Sequence, residues 1–245
     1  MLTLRQLLTL LLMAALLTQS GCSGLEPRWL LRSLPGSPPE VVYFIPTEQK
    51  LIALTIDDGP DPETTGPLLD LLKQHNARAT FFFITDNLPG NEALVQRALA
   101  EGHELGNHMT VDEVSAKLPP EEFAEKLAQA SSTLQSYGAE VRWFRPGSAW
   151  YNDSMREAIE PYGYRIALAS MPPLDARLPW PAFVGSYIRR TVKPGSIVIL
   201  HTSQGRGPRT LKILADVLPE LTRRGYRFVT LSQLDAASES EAGRS

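Results

Sequence analysis

Two adjacent carboxylates, Asp57 and Asp58, close a short apolar run and are followed at once by Gly59 and Pro60, in the string Thr55-Ile56-Asp57-Asp58-Gly59-Pro60. Crowding two carboxylates costs free energy unless a cation or a base shares them. A plain surface turn would use the same letters, because Gly59 permits a tight turn and Pro60 fixes it. The chain has four histidines. His75 ends a helical stretch, where it would meet the helix dipole, and His103 reads as a packed strand residue. His108 is followed four positions on by Asp112. One helical turn would put both side chains on the same side, as a local salt bridge or as a pair able to ligate Zn²⁺ or another divalent ion. His201 follows the apolar run Ser196–Leu200, so it sits at a strand end, as a site residue or a satisfied core histidine. Arg145, at the junction Trp143-Phe144-Arg145-Pro146-Gly147, is either a surface cation or the charge that compensates Asp57 and Asp58. Asp175, in the proline-rich Met171–Trp180 segment, is either a solvated loop acid or a partner for one of these groups.

The elements that must hold these residues alternate. Val41–Ile45, Leu51–Ile56, Ala79–Ile84, Val141–Phe144, Tyr164–Ala169, Ser196–Leu200 and Arg227–Leu231 read as strands. Thr65–His75, Ala93–Glu101, Pro120–Tyr137, Asp153–Tyr162 and Thr210–Arg224 have helical spacing, and Asn152 is placed to cap the fourth of them. Near-continuous apolar strands between helices predict an α/β fold with a mostly parallel sheet. Polar residues just after parallel strands gather at one end of the sheet, where sites form.

Length and composition bound the function. The 245 residues are ample for one buried core, and 24 basic against 27 acidic residues give a net charge of −3. No basic excess is available to neutralise phosphates, so nucleic acid is not an expected partner. The single cysteine, Cys22, excludes an internal disulfide and a cysteine-based zinc centre. Residues Met1–Cys22 have the layout of a secretory leader: Arg5, then the apolar run Leu7–Leu17, then small and polar residues. That run is shorter than the roughly 20 residues that span a bilayer. Its end at Cys22 resembles the lipobox of bacterial lipoproteins, with Gln19 where an aliphatic residue is usual. The expected organisation is a leader over 1–22, a Pro/Gly linker over 23–40, a folded domain over 41–235 and a disordered tail over 236–245. Export, with membrane attachment through the N-terminal lipid or anchor, is the expected localisation.

Taken in order, Thr55–Pro60 (TIDDGP), Gly102–Asp112 (GHELGNHMTVD), Phe144–Gly147 (FRPG), Asp175 and Ile199–His201 (ILH) resemble the five motifs of the polysaccharide deacetylases, the NodB-homology carbohydrate esterases. The resemblance covers roughly Leu51–Leu234. It implies a distorted, incomplete (β/α) TIM-like barrel and a divalent metal ion that serves hydrolysis of N-acetyl or O-acetyl groups. It implies Asp57 as general base, Asp58 and His108 as metal ligands, Arg145 as the partner of the base, Asp175 as the group orienting His201, and His201 as general acid. It also implies an acetyl-methyl pocket lined by Leu200; a backbone N–H near Ser148 is the expected oxyanion donor, and Trp150 or Trp180 is the expected sugar-stacking face in place of the family's usual tryptophan. Asp112 stands where the family's second ligand histidine does, which makes a harder donor set: Zn²⁺ is expected, with Mn²⁺, Co²⁺ or Ni²⁺ as alternatives. RPGSAW at 145–150 and the absence of a tryptophan just before Asp175 also depart from the usual pattern.

The residues thus predict an exported deacetylase of cell-envelope or extracellular polysaccharide. The runner-up is a non-catalytic carbohydrate-binding protein on the same fold, though binding alone needs neither a base nor an acid. An Asp-nucleophile phosphatase fits less well, because Gly59 occupies the place of its second acid.

Overall fold

The structure, a computed structural model, describes residues 38–171, 173–203 and 205–243. The leader, Cys22 and almost all of the linker lie outside the described residues. Eight strands build one sheet: β1 (Val41–Val42), β2 (Leu51–Asp57), β3 (Thr80–Phe83), β4 (Glu104–Asn107), β5 (Trp143–Phe144), β6 (Arg165–Ala167), β7 (Ser196–His201) and β8 (Arg227–Val229). The order is β1-β6-β5-β4-β3-β2-β7, with β8 also on β2, and every named pairing is parallel. The sheet curls into an incomplete barrel. Its two ends approach through one antiparallel bridge, Phe44 to Ser196, and the Ile45 N–H donates to the Gly195 carbonyl at 3.0 Å. Ser170 stitches the same gap: its N–H reaches the Ile197 carbonyl at 3.1 Å and its Oγ accepts the Ile197 N–H at 2.8 Å.

Seven helices pack around the strands: α1 (Thr65–Gln74), α2 (Glu92–Ala100), α3 (Pro120–Ser136), α4 (Asp153–Ile159), α5 (Pro181–Thr191), α6 (Gly207–Arg223) and α7 (Leu231–Ala242), counted among the described residues. Strands β2 and β7 are buried along nearly their whole length because both faces are covered. Their period of two sorts the side chains. Ile52, Leu54 and Ile56 of β2, with Val198 and Leu200 of β7, meet Leu68, Leu72, Leu214 and Leu218 of the helices. Ala53 and Ile197 face the barrel interior with Phe82, Trp143 and Ala167. Asp57 and His201 continue that interior face at the strands' carboxyl ends. Asn152 caps α4 as expected, its Oδ1 accepting the Met155 N–H at 2.9 Å.

Two helices are absent from the sequence expectation. Helix α5 contains Gly185 and β-branched residues, which weaken its helical signature. A Cβ on Gly185 would lie 2.6 Å from Asp216 Oδ2 of α6, so that carboxylate would have to swing aside. Helix α7 corrects the expected disordered tail over 236–245, which is helical to Ala242. Thr230 and Gln233 form a reciprocal capping box that starts it. Leu231 and Leu234 then enter the barrel-interior cluster, and Ser232 accepts the Trp143 indole N–H at 3.0 Å. Farther along, Glu241 accepts hydrogen bonds from the Thr47 hydroxyl and the Glu48 N–H. A small, polar composition therefore conceals an element that closes one end of the barrel. Leu234→Ala is expected to cost about 2–5 kcal/mol, read as a lowered urea midpoint.

Candidate active site

The chemistry-bearing residues sit at the carboxyl ends of the parallel strands. Asp57 ends β2 and is the register partner of His201, which ends β7. His108 follows β4, Arg145 follows β5, and Asp175 lies on a 3₁₀ turn after β6. Among the described residues, five non-glycine residues have left-handed backbones, and four of them (Asp58, Met109, Ser148 and Ala149) lie in these loops. Strain of that kind concentrates where geometry is held for a purpose. Asp58 is fixed at φ 78° by its N–H to the Phe82 carbonyl at 3.1 Å and by Asn87 Nδ2, which donates to its carbonyl at 2.8 Å.

Asp57 and Arg145 form a buried pair. Arg145 Nη1 donates to Asp57 Oδ1 at 2.6 Å and to Thr55 Oγ1 at 2.8 Å, while its Nε donates to the Ala167 carbonyl at 2.8 Å. The guanidinium lies 4.0 Å from the centre of the Phe82 ring. One carboxylate oxygen of Asp57 is thus held by the cation. The other, Oδ2, lies 4.0 Å from His201 Nε2.

His201 and Asp175 form the second pair. Asp175 Oδ2 lies 3.0 Å from His201 Nδ1 and also accepts the His201 N–H at 2.8 Å. That fixes the ring with Nδ1 protonated and Nε2 turned toward Asp57. Burial opposes charging of the ring, but the Asp175 hydrogen bond and the charges of Asp57, Asp175 and Asp58 outweigh it and raise its pKa to about 9. A raised histidine pKa stabilises the fold fully below the unfolded value near 6.5, and that contribution is lost as pH rises through about 9. An NMR titration of the metal-free protein is expected to find the His201 imidazole charged until about pH 9. In Asp175→Asn the midpoint is expected to move down.

Asp58 and His108 form the third pair, both buried, with His108 Nε2 3.4 Å from Asp58 Oδ1. His108 Nδ1 lies 2.6 Å from the Arg145 carbonyl, so that nitrogen carries a proton and Nε2 is the one presented to Asp58. Burial pushes Asp58 up, but the His108 hydrogen bond, the charges of His108 and His201, and the Ser203 hydroxyl bring it down to about 2. A bare nitrogen lone pair facing a carboxylate at this distance needs a cation between them, which is a proton or a metal ion. An imidazole fixed through its other nitrogen, beside an ionised carboxylate, is a donor set suited to a divalent ion.

Asp112 does not join them. The chain after His108 runs through bends, with Met109 at φ 67°, so the helical turn expected over 108–112 does not form and Asp112 is exposed. Close packing fixes this path: a Cβ on Gly147 would fall 1.8 Å from the Glu113 carbonyl oxygen. Among the described residues, no group of three His, Cys, Asp or Glu side chains is arranged to hold a metal. The fit to a divalent ion therefore rests on two protein ligands.

Leu200 is also corrected. It packs in the strand-to-helix layer, on the face of β7 opposite His201. The apolar residue that shares the histidine's face is Ile199, two positions away. Ser148 and Trp150 are exposed in the loop after Arg145, Trp150 to 67%. A cleft of about 270 Å³ opens beside Asp58, lined in part by Asp61, Asn87, Asn91, Thr202 and Ser203. Sequence reasoning misses Thr55, Asn87, Thr202 and Ser203. The only available signal is a cluster of small polar residues directly after the strand that ends in His201.

A profile of the polysaccharide deacetylase family matches residues 45–167. A peptidoglycan-N-acetylglucosamine deacetylase from Bacillus cereus is 36% identical over 196 residues, which cover 79% of this chain and 92% of that one. A chitooligosaccharide deacetylase from a Bradyrhizobium species is 30% identical over 197 residues, covering 75% and 90% of the two chains. Among solved structures, a peptidoglycan N-acetylglucosamine deacetylase in complex with a naphthalenyl N-oxidanyl-benzamide superposes with a TM-score of 0.74 at 29% identity, over 80% of this chain and 92% of the other. A mutant, with restored activity, of a pseudoenzyme from the same family superposes with a TM-score of 0.74 at 25% identity, over 82% and 72%.

Proposed function

Starting from the fact that the chain belongs to the polysaccharide deacetylase family, we propose that it is an exported, metal-dependent hydrolase that removes N-acetyl groups from amino sugars of a cell-envelope or extracellular polysaccharide. The observation that carries this reading is the facing of Asp57 and His201 across 4.0 Å, each fixed from behind by its own partner of opposite charge. Amide hydrolysis needs a proton taken from water and a proton given to the departing amine, and the two groups are built for those opposite tasks. Arg145 occupies Oδ1 of Asp57, which leaves Oδ2 to accept the proton of an attacking water. Asp175 holds His201 as the imidazolium, so Nε2 carries the proton that the nitrogen leaving group requires. Asp58 and His108 would hold the divalent ion, which when bound supplies carbonyl polarisation and a more acidic water. Zn²⁺ is the first candidate, with Mn²⁺, Co²⁺ and Ni²⁺ as alternatives. The reading assigns an oxyanion donor to the backbone near Ser148, the methyl pocket to Ile199 and a sugar-stacking face to Trp150.

Two relatives are named for peptidoglycan and chitooligosaccharide substrates, which supports N-acetylglucosamine polymers as the substrate class. The leader-like Met1–Cys22 supports export, with anchoring through a lipid on Cys22. Acetate release from N-acetylglucosamine oligomers and peptidoglycan tests the proposal. Activity is expected to vanish with EDTA and to return on adding Zn²⁺, Mn²⁺ or Co²⁺. The pseudoenzyme relative supports a second reading, glycan binding without turnover. Binding of those oligomers by the metal-loaded protein with no acetate released would favour it.

A further inference from the structure

The segment after β7 brings a cation to the back of the Asp58–His108 pair. Ser203 Oγ donates to Asp58 Oδ2 at 2.5 Å. Arg206 Nη1 donates to Ser203 Oγ at 3.1 Å and stands 3.8 Å from the same carboxylate oxygen. A hydroxyl both donates and accepts, so the three side chains form a relay from guanidinium to hydroxyl to carboxylate. Asp58 is then divided. Oδ1 faces His108, and Oδ2 is occupied from the opposite side. Directly after Arg206, α6 begins hard against Thr64: a Cβ on Gly207 would lie 2.4 Å from a Thr64 methyl carbon.

We propose that Ser203 and Arg206 set the affinity of the Asp58–His108 site for its divalent ion, and that they act in opposite directions. Ser203 is a positioning residue that holds the Asp58 carboxylate with Oδ1 turned toward His108. Arg206 places a full positive charge beside the ligand carboxylate, which opposes a second cation on the other oxygen. With two protein ligands and a fixed neighbouring cation, the site binds its ion weakly and leaves it electron-poor. This inference rests on the reading of Asp58 and His108 as the metal pair.

Direct binding tests it without any turnover. The full chain is stripped with chelator, and Zn²⁺, Mn²⁺ and Co²⁺ are titrated calorimetrically, with thermal melts confirming that each variant is folded. Arg206→Gln is expected to tighten binding roughly tenfold, Ser203→Ala to weaken it roughly tenfold, and Arg206→Lys, which keeps the charge, to stay near wild type. Asp112→Ala is expected to leave affinity unchanged. Arg206→Gln binding no tighter than wild type, or Ser203→Ala binding as tightly, would overturn the relay. Wild-type binding that survives Asp58→Asn undiminished would instead overturn the metal-pair reading itself.

Discussion

Asp57→Asn is expected to lower acetate release by roughly 10²–10⁴-fold, because the amide cannot take the proton of the attacking water. It is also expected to destabilise the protein by about 3–5 kcal/mol, since it strands a buried guanidinium. Arg145 is 2% exposed, and its remaining partners, Thr55 Oγ1 and the Ala167 carbonyl, are neutral. The two effects separate in a double variant. Asp57→Asn with Arg145→Met removes both charges and is expected to regain much of the lost stability while staying inactive. Urea denaturation and acetate assays on the same preparations make the comparison. A double variant as unstable as the single one would show that the pair does not account for the loss.

His201→Ala is expected to divide substrates by their leaving group. On N-acetylated oligosaccharides the departing amine needs a proton, and the loss should reach roughly 10²–10⁴-fold. On an aryl acetate such as 4-nitrophenyl acetate the leaving phenolate needs none, and the loss should stay below about tenfold. Equal losses on both substrates would mean that His201 orients water or substrate instead of donating the proton. Asp175→Asn should follow the same pattern more weakly, because it spares Nε2 and removes only the charge that keeps the ring protonated.

What the sequence revealed and what it hid divide along physical lines. Asp57, Arg145 and His201 were legible because each directly follows a short apolar strand, and parallel strands deliver such residues to one end of the sheet whatever the loops do. The Leu200 assignment slipped by one because adjacency to His201 says nothing about which face of a strand a side chain takes. Alternation gives that place to Ile199. Asp112 depended on a helical turn, and the left-handed backbone at Met109 together with the close approach of Gly147 to Glu113 forbids that turn. Helix α7 was hidden because its residues, Ala, Ser and Glu, are ordinary on a solvated surface, and only the capping box and two leucines mark it. Arg206 had no pattern to betray it, and Ser203 only its place among small polar residues after β7. Their meaning comes from Asp58, which lies far away in sequence.

That distance has a kinetic consequence. The hydrogen bond from the Thr202 hydroxyl to the Asp57 carbonyl joins residues 145 positions apart, and β2 is bordered along one whole edge by β7. Closing so long a loop costs chain entropy before any contact repays it. The first half of the chain can build β2, α1 and β3 by local pairing, yet it holds Asp57 and Asp58 on a strand with one edge bare. Such an edge is an aggregation hazard until it is filled. The docking of β7 against β2 is therefore expected to come late in folding, and it completes the site, so full structure and competence to react should emerge together.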